Sequence, residues 1–188
     1  MTLTLDYRWE HALIAATVEA AKRRCPDCSI GRTAIQKLLY FMNVLGVPMK
    51  YSFEIHHYGP FCADIMYDVE WLLEDQVIED QSHEQGRYSS YVPGAHWSDL
   101  SEAFKDQLES HQQLIFSVCD ALNDLSPETL ELIATLDFCY RWVRARGGCD
   151  SRRDAAIEKF KQIKKDKFTD AQIHHWYDVL VKAQLVEA

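Results

Sequence analysis

The sequence predicts a mainly α chain of α+β type in a single domain over residues 1–188. A winged-helix-like core with a small β-hairpin wing is expected over about 30–97, and a helical part over about 98–188. Three observations carry this. One apolar helical stripe runs through Ile35, Leu38, Leu39, Met42 and Leu45. Residues 51–80, YSFEIHHYGPFCADIMYDVEWLLEDQVIED, read as strand, hard turn at Gly59-Pro60, helix and a return to extended chain, which is the grammar of a winged helix. From Ser98 onward, helix starts recur to the end of the chain.

Each element has a local reason. Trp9, Leu13, Val18 and Ala21 fall near helical spacing, so a first helix is expected over 6–24, broken by RRCPDCSIG. Thr33-x-x-Gln36 reads as a capping box, in which each side chain meets a backbone N–H at the exposed helix start. Gly46-Val47-Pro48 ends that helix. Residues 51–58 are aromatic and β-branched enough for a short strand. Pro60 suits the first turn of a helix, where its missing N–H has no partner to lose, so the next helix is placed over 60–75. Val77-Ile78 and Tyr88–Val92 flank QSHEQGR and make a wing with a long loop. Asp99-x-x-Glu102 starts one helix through Ala121, and further starts follow at Ser126-Pro127, Ser151-x-x-Asp154 and Thr169-x-x-Gln172. Arg146-Gly147-Gly148 is the weak break among them.

Composition bounds the function. The chain is 47% hydrophobic, enough for a core, and no apolar run approaches the ~18 residues of a membrane span. The first residues, MTLTLDYRWEHAL, lack the basic-then-apolar order of a signal peptide, so a cytoplasmic protein with no membrane partner is expected. In a reducing cytosol the six scattered cysteines read as buried thiols rather than a disulfide frame. The net charge of -9 opposes general nucleic-acid binding, which needs cations to replace counterions along the phosphates. Charge is uneven, however. Arg141 to Lys167 holds ten basic and four acidic residues, net +6, which leaves -15 on the remainder. Such a patch either binds another molecule or contacts the chain's own acids.

In a winged helix the helix over 60–75 would enter DNA. Here PFCADIMYDVEWLLED contains no Arg, Lys, Asn or Gln, the side chains that read guanine and adenine edges. Phe61, Ile65, Val69, Leu72 and Leu73 share the inward face; Asp64, Tyr67, Asp68, Trp71 and Asp75 share the other. Acids repel phosphates, but an acidic rim around Tyr and Trp suits a protein partner. The competing expectation is that the chain's own helical half covers Tyr67 and Trp71.

KLLYF (Lys37 to Phe41), then an aromatic-rich strand and HYGPF (His57 to Phe61), resemble the Panacea family, the SocA-type antitoxin domain, and within it the YwgA-like branch of uncharacterised proteins. Asp68-x-x-x-Leu72-Leu73, LELIATLDF (Leu130 to Phe138) and KFTDAQI (Lys167 to Ile173) follow in order, so the resemblance touches about residues 30–185. It implies a mainly helical, winged-helix-like fold. For some relatives it implies neutralisation of a toxin by direct binding, or adaptor action with a protease. Tyr58, Gly59 and Pro60 carry over as a shared structural and partner-facing turn; CPDC is not part of the pattern.

Other chemistry is weaker. Cys25-x-x-Cys28 is half a zinc site without a second pair, which His56, His57 or another Cys would have to complete. Cys62, expected in the first turn of a helix after His56 and His57, is more readily a packed thiol than a nucleophile. Asp64 and Asp68 at i, i+4 read as a solvated face rather than a metal site, and no phosphate-cradling Gly-rich loop exists. No enzyme, cofactor or metal is therefore expected. The expected function is a cytoplasmic protein-binding module whose partner is a toxin or an adaptor client. The alternative is a DNA-binding regulator docking through the 141–167 segment, with Arg152, Arg153, Lys161, Lys164 and Lys165 on phosphates.

Overall fold

A computed structural model describes residues 6–28, 30–82, 89–147 and 151–187. The described residues are mainly helical, with two small antiparallel hairpins. Most of QSHEQGR, together with Tyr88, Gly148, Cys149 and Asp150, lies outside them. The chain divides into two compact units: Met1–Phe53 with Cys62–Leu125, and Glu54–Phe61 with Ser126–Ala188.

In the first unit, α1 (Trp9–Arg24) is the central helix. Ala12, Leu13, Ile14, Val18 and Ala21 are all fully buried, so apolar residues lie on every side of it, as in a helix enclosed by neighbours. It packs against α2 (Arg32–Val44), α3 (Ala63–Glu74), α4 (Trp97–Ala103) and α5 (Lys105–Leu122). The α2 stripe is as expected through Ile35, Leu38, Leu39 and Met42, while Leu45 ends it half-exposed. The helix starts one residue earlier than predicted, with Gly31 as N-cap and no side-chain cap. Gln36 therefore does not close a capping box. It is buried, donates from Nε2 to the Cys62 carbonyl at 2.8 Å and accepts from the Cys62 N–H at 3.0 Å. A buried backbone pair with no ladder partner makes the stronger demand on that amide.

The expected single helix from Asp99 is two helices, α4 and α5, which meet at Phe104. A hairpin forms where one was expected: β3 (Ile78–Asp80) pairs antiparallel with β4 (Tyr91–Pro93), Ile78 opposite Pro93. Gly94 lets this hairpin return close to the end of α3: a Cβ there would meet the Gln76 carbonyl oxygen at 2.2 Å.

The second unit begins with β1 (Glu54–His56) and β2 (Gly59–Phe61), a hairpin turning at His57-Tyr58 with His56 opposite Gly59. This corrects the placement of Pro60, which sits in β2 opposite Ile55 rather than in a helix. Gly59, at φ +90°, lets the chain fold back at once. A two-stranded ribbon has free edges where a residue without N–H is tolerated. The helix consequently starts at Ala63, with Cys62 as N-cap.

α6 (Pro127–Arg146), α7 (Arg152–Lys164), a 3₁₀ turn (Lys165–Lys167) and α8 (Asp170–Lys182) complete the second unit. Their starts follow the sequence reading. Ser126, Ser151 and Thr169 each accept the N–H three residues on, and Thr169 with Gln172 closes a full capping box. Leu136, Cys139, Tyr140, Phe160, Ile173 and Tyr177 fill the core between the helices. Among the described residues, no helix is long and apolar enough to cross a membrane.

Candidate functional site: the outer face of α3 and the basic segment

The outer face of α3 joins aromatic and acidic side chains. Tyr67 is 64% exposed and Trp71 51%, so neither is covered as a core residue would be. Asp64, Glu70 and Glu74 are exposed beside them; the opposite face buries Ile65, Val69 and Leu72. Asp64, Tyr67, Trp71 and Glu74 follow at three- and four-residue spacing, which makes one stripe. Glu70 and Glu74 extend the acidic rim beyond the residues singled out from sequence; the exposed positions of the same wheel contained them.

Asp68 does not belong to this stripe. It is 7% exposed. Its Oδ2 accepts from Tyr51 Oη at 2.6 Å, and its Oδ1 accepts from Arg8 Nη2 at 2.6 Å, with His11 Nε2 3.2 Å away. Burial, together with the hydrogen bond to Asp68, pushes the Tyr51 hydroxyl far above the usual tyrosine range. The wheel placed Asp68 outward because it counts only residues on α3. The segment before α1 supplies a counter-charge that the wheel cannot contain. With both oxygens engaged, Asp68 is not available with Asp64 as a metal-binding pair. Asp75 is half-buried, its Oδ2 accepting from Tyr7 Oη at 3.1 Å. Burial and this carboxylate raise the Tyr7 pKa.

The basic segment contacts acids of its own unit. Arg152 pairs with Glu187. Arg153 pairs with Asp178 at 2.7 Å and lies over the Tyr177 ring. Lys161 pairs with Asp170 at 2.7 Å. Lys164 is buried, donating to Glu131 Oε1 at 2.8 Å and to the His57 carbonyl at 2.7 Å. Lys167 adds a second cation to Glu131, and its ammonium lies 5.7 Å from the exposed Tyr58 ring. Burial raises the Glu131 carboxyl, but the hydrogen bonds from Lys164 and Lys167 outweigh it and hold the pKa below the usual range. Of the five cations named from sequence, only Lys165 makes no ion pair among the described residues. It is exposed, at the 3₁₀ turn, with φ +51°. In the 54–61 turn Gly59 and Pro60 are buried and Tyr58 is 58% exposed, so only Tyr58 of that trio is presented to solvent.

The cysteines among the described residues divide into two kinds. Cys62, Cys119 and Cys139 are buried free thiols, and burial pushes those of Cys119 and Cys139 up to about 12, where a thiolate nucleophile is absent at neutral pH. Cys25 and Cys28, by contrast, are half-buried and joined in a disulfide, not separate buried thiols. Their turn is short enough to bring the two side chains together, with Cα atoms 5.3 Å apart.

No family model matches the chain. Over 107 residues it is 24% identical to "Uncharacterized protein YwgA" of Bacillus subtilis (strain 168). That match takes in 57% of this chain and 63% of YwgA, so the chain spans less than two thirds of the length of the curated relative it resembles.

Proposed function

We propose that the chain is a non-enzymatic cytoplasmic protein-binding module and that the outer face of α3 is its docking surface. The observation that carries this is the joint exposure of Tyr67 and Trp71 inside a rim of Asp64, Glu70 and Glu74, on a helix with no basic residue. Large aromatics anchor interfaces because they bury much area at little entropic cost. The acidic rim selects a partner with a basic surface and an apolar pocket. α2, α3 and the β3–β4 hairpin form a winged-helix-like core whose recognition helix is turned from DNA to protein. The Panacea-like motif order supports an antitoxin or proteolytic-adaptor role, with a toxin or adaptor client as that partner. The nucleic-acid alternative is less favoured, since four of its five proposed phosphate contacts are already spent on carboxylates.

The test is capture from a lysate of the chain's own organism, with and without nuclease, using the wild type and Tyr67→Ala/Trp71→Ala. A stoichiometric protein that survives nuclease and is lost with the double variant supports the reading. A partner retained by that variant, or one that vanishes with nuclease, overturns it.

A further inference from the structure

The CPDC turn lies beside a carboxylate far from it along the chain, that of Asp124. Cys25 Sγ, Cys28 Sγ and an oxygen of Asp124 all lie within 4.8 Å of one another. Several contacts hold this corner. Lys22 Nζ donates to the Pro26 carbonyl at 2.7 Å and to the Cys28 carbonyl at 2.8 Å, which pins the turn. The Ala21 carbonyl accepts from the Cys25 N–H at 3.0 Å and from Asn123 Nδ2 at 2.9 Å. Asn123 thereby fastens the end of α5 to the end of α1, and Asp124 follows it. Asn123 Oδ1 is buried and accepts no hydrogen bond among the described residues. Asp124 is exposed enough to turn: its side chain is 59% accessible, and among the described residues its Oδ2 has a long 3.8 Å contact to Arg24.

We propose that this corner is a redox-gated site for a thiophilic divalent cation, with Cys25, Cys28 and Asp124 as ligands and zinc as the best-fitting ion. Two thiolates and a carboxylate in one small volume form a soft, anionic donor set that favours zinc over calcium or magnesium. Three protein ligands leave one tetrahedral position for water. Arg24 and Lys22 offset the excess negative charge and favour the thiolates.

The disulfide and the metal exclude each other. Zinc–sulfur bonds of about 2.3 Å in a tetrahedron place two sulfurs roughly 3.8 Å apart, well beyond a covalent bond. A dithiol reductant supplies two electrons and two protons. The Cys25–Cys28 bond breaks, two thiols form, and the reductant closes its own disulfide. Binding of the cation then displaces the two thiol protons to solvent. Oxidation runs the other way: the two thiolates give up two electrons to an oxidised dithiol, which takes two protons from solvent, the Cys25–Cys28 bond re-forms and the cation is released.

The test uses the full chain, freed of metal and reduced with a phosphine. Zinc is titrated against a chromophoric chelator, and cobalt(II) is added separately to report thiolate ligation by its charge-transfer absorption. The reduced wild type is expected to bind one equivalent with that absorption, and the disulfide form none. Cys25→Ser/Cys28→Ser should lose the site, which also subtracts binding by the other cysteines. Asp124→Asn, an exposed change that keeps the fold, should weaken binding tenfold or more. The proposal is overturned if the reduced wild type binds no better than the double-serine variant. It is equally overturned if Asp124→Asn keeps full affinity; that arm holds even where the cysteine variant does not fold.

Discussion

Tyr51 Oη donates to Asp68 Oδ2 at 2.6 Å, and this contact turns what looks like a surface acid into an interior one. Arg8 holds the other oxygen, so one carboxylate links the segment before α1, the chain before β1 and α3. Asp68→Asn removes the charge that Arg8 and the tyrosine hydroxyl face. It should destabilise the chain by about 2 kcal/mol or more, and Asp68→Lys should prevent folding. Tyr51→Phe, which removes only the donor, should cost about 1 kcal/mol. Urea unfolding of the three variants orders these effects; an Asp68→Lys chain with wild-type stability would place Asp68 on the surface after all.

The α3 stripe should behave in the opposite way. Tyr67→Ala and Trp71→Ala remove exposed side chains, so each should change stability by about 0.5 kcal/mol or less while affecting partner capture. A melting-temperature drop comparable with that of Asp68→Asn would show them to be packing residues.

Glu131 sets a pH dependence. Its folded pKa lies below the usual 4.5 because Lys164 and Lys167 donate to it against the opposing effect of burial. A lowered carboxylate pKa means that the unfolded chain takes up the proton first as the pH falls. The stabilisation is therefore complete well above 4.5 and is lost as the pH drops through 4.5 and past the folded value. Glu131→Gln leaves Lys164, with only 3% of its side chain exposed, facing a neutral group. The variant should be less stable at neutral pH and show a shallower loss of stability under acid. Circular-dichroism urea midpoints from neutral to acid pH measure both, and an unchanged acid slope would mean that Glu131 is not the titrating group.

Gly94 tests the approach of the β3–β4 hairpin to the end of α3. A Cβ 2.2 Å from the Gln76 carbonyl oxygen must push backbone apart, and backbone yields less readily than a side chain. Gly94→Ala should lower stability by about 1–3 kcal/mol. A differential-scanning trace identical to wild type would show the hairpin free to move away.

Local rules made much of the fold legible. The caps at Ser126, Ser151 and Thr169 form within one helical turn of their own residues, so the sequence contains both partners. The α2 stripe and the inward face of α3 were legible because helical periodicity is itself local. Where the reading failed, the deciding partner was distant. Gln36 looked like a cap because its partner Cys62 lies 26 positions away. Pro60 is the exception: its hairpin partner Ile55 is close in the chain, but a proline suits either a helix start or a ribbon edge, and the fold-back at Gly59 decided between them.

Charge shows the same division. Composition by itself established a basic segment in an acidic chain and an acidic, aromatic helix without DNA-reading side chains. Only the tertiary structure decided that Arg152, Arg153, Lys161 and Lys164 face Glu187, Asp178, Asp170 and Glu131, and that Asp124 stands beside the CPDC turn. The physical reason is that a side chain's own chemistry is fixed by its type, whereas burying or pairing a charge depends on which distant group the packed core brings to it.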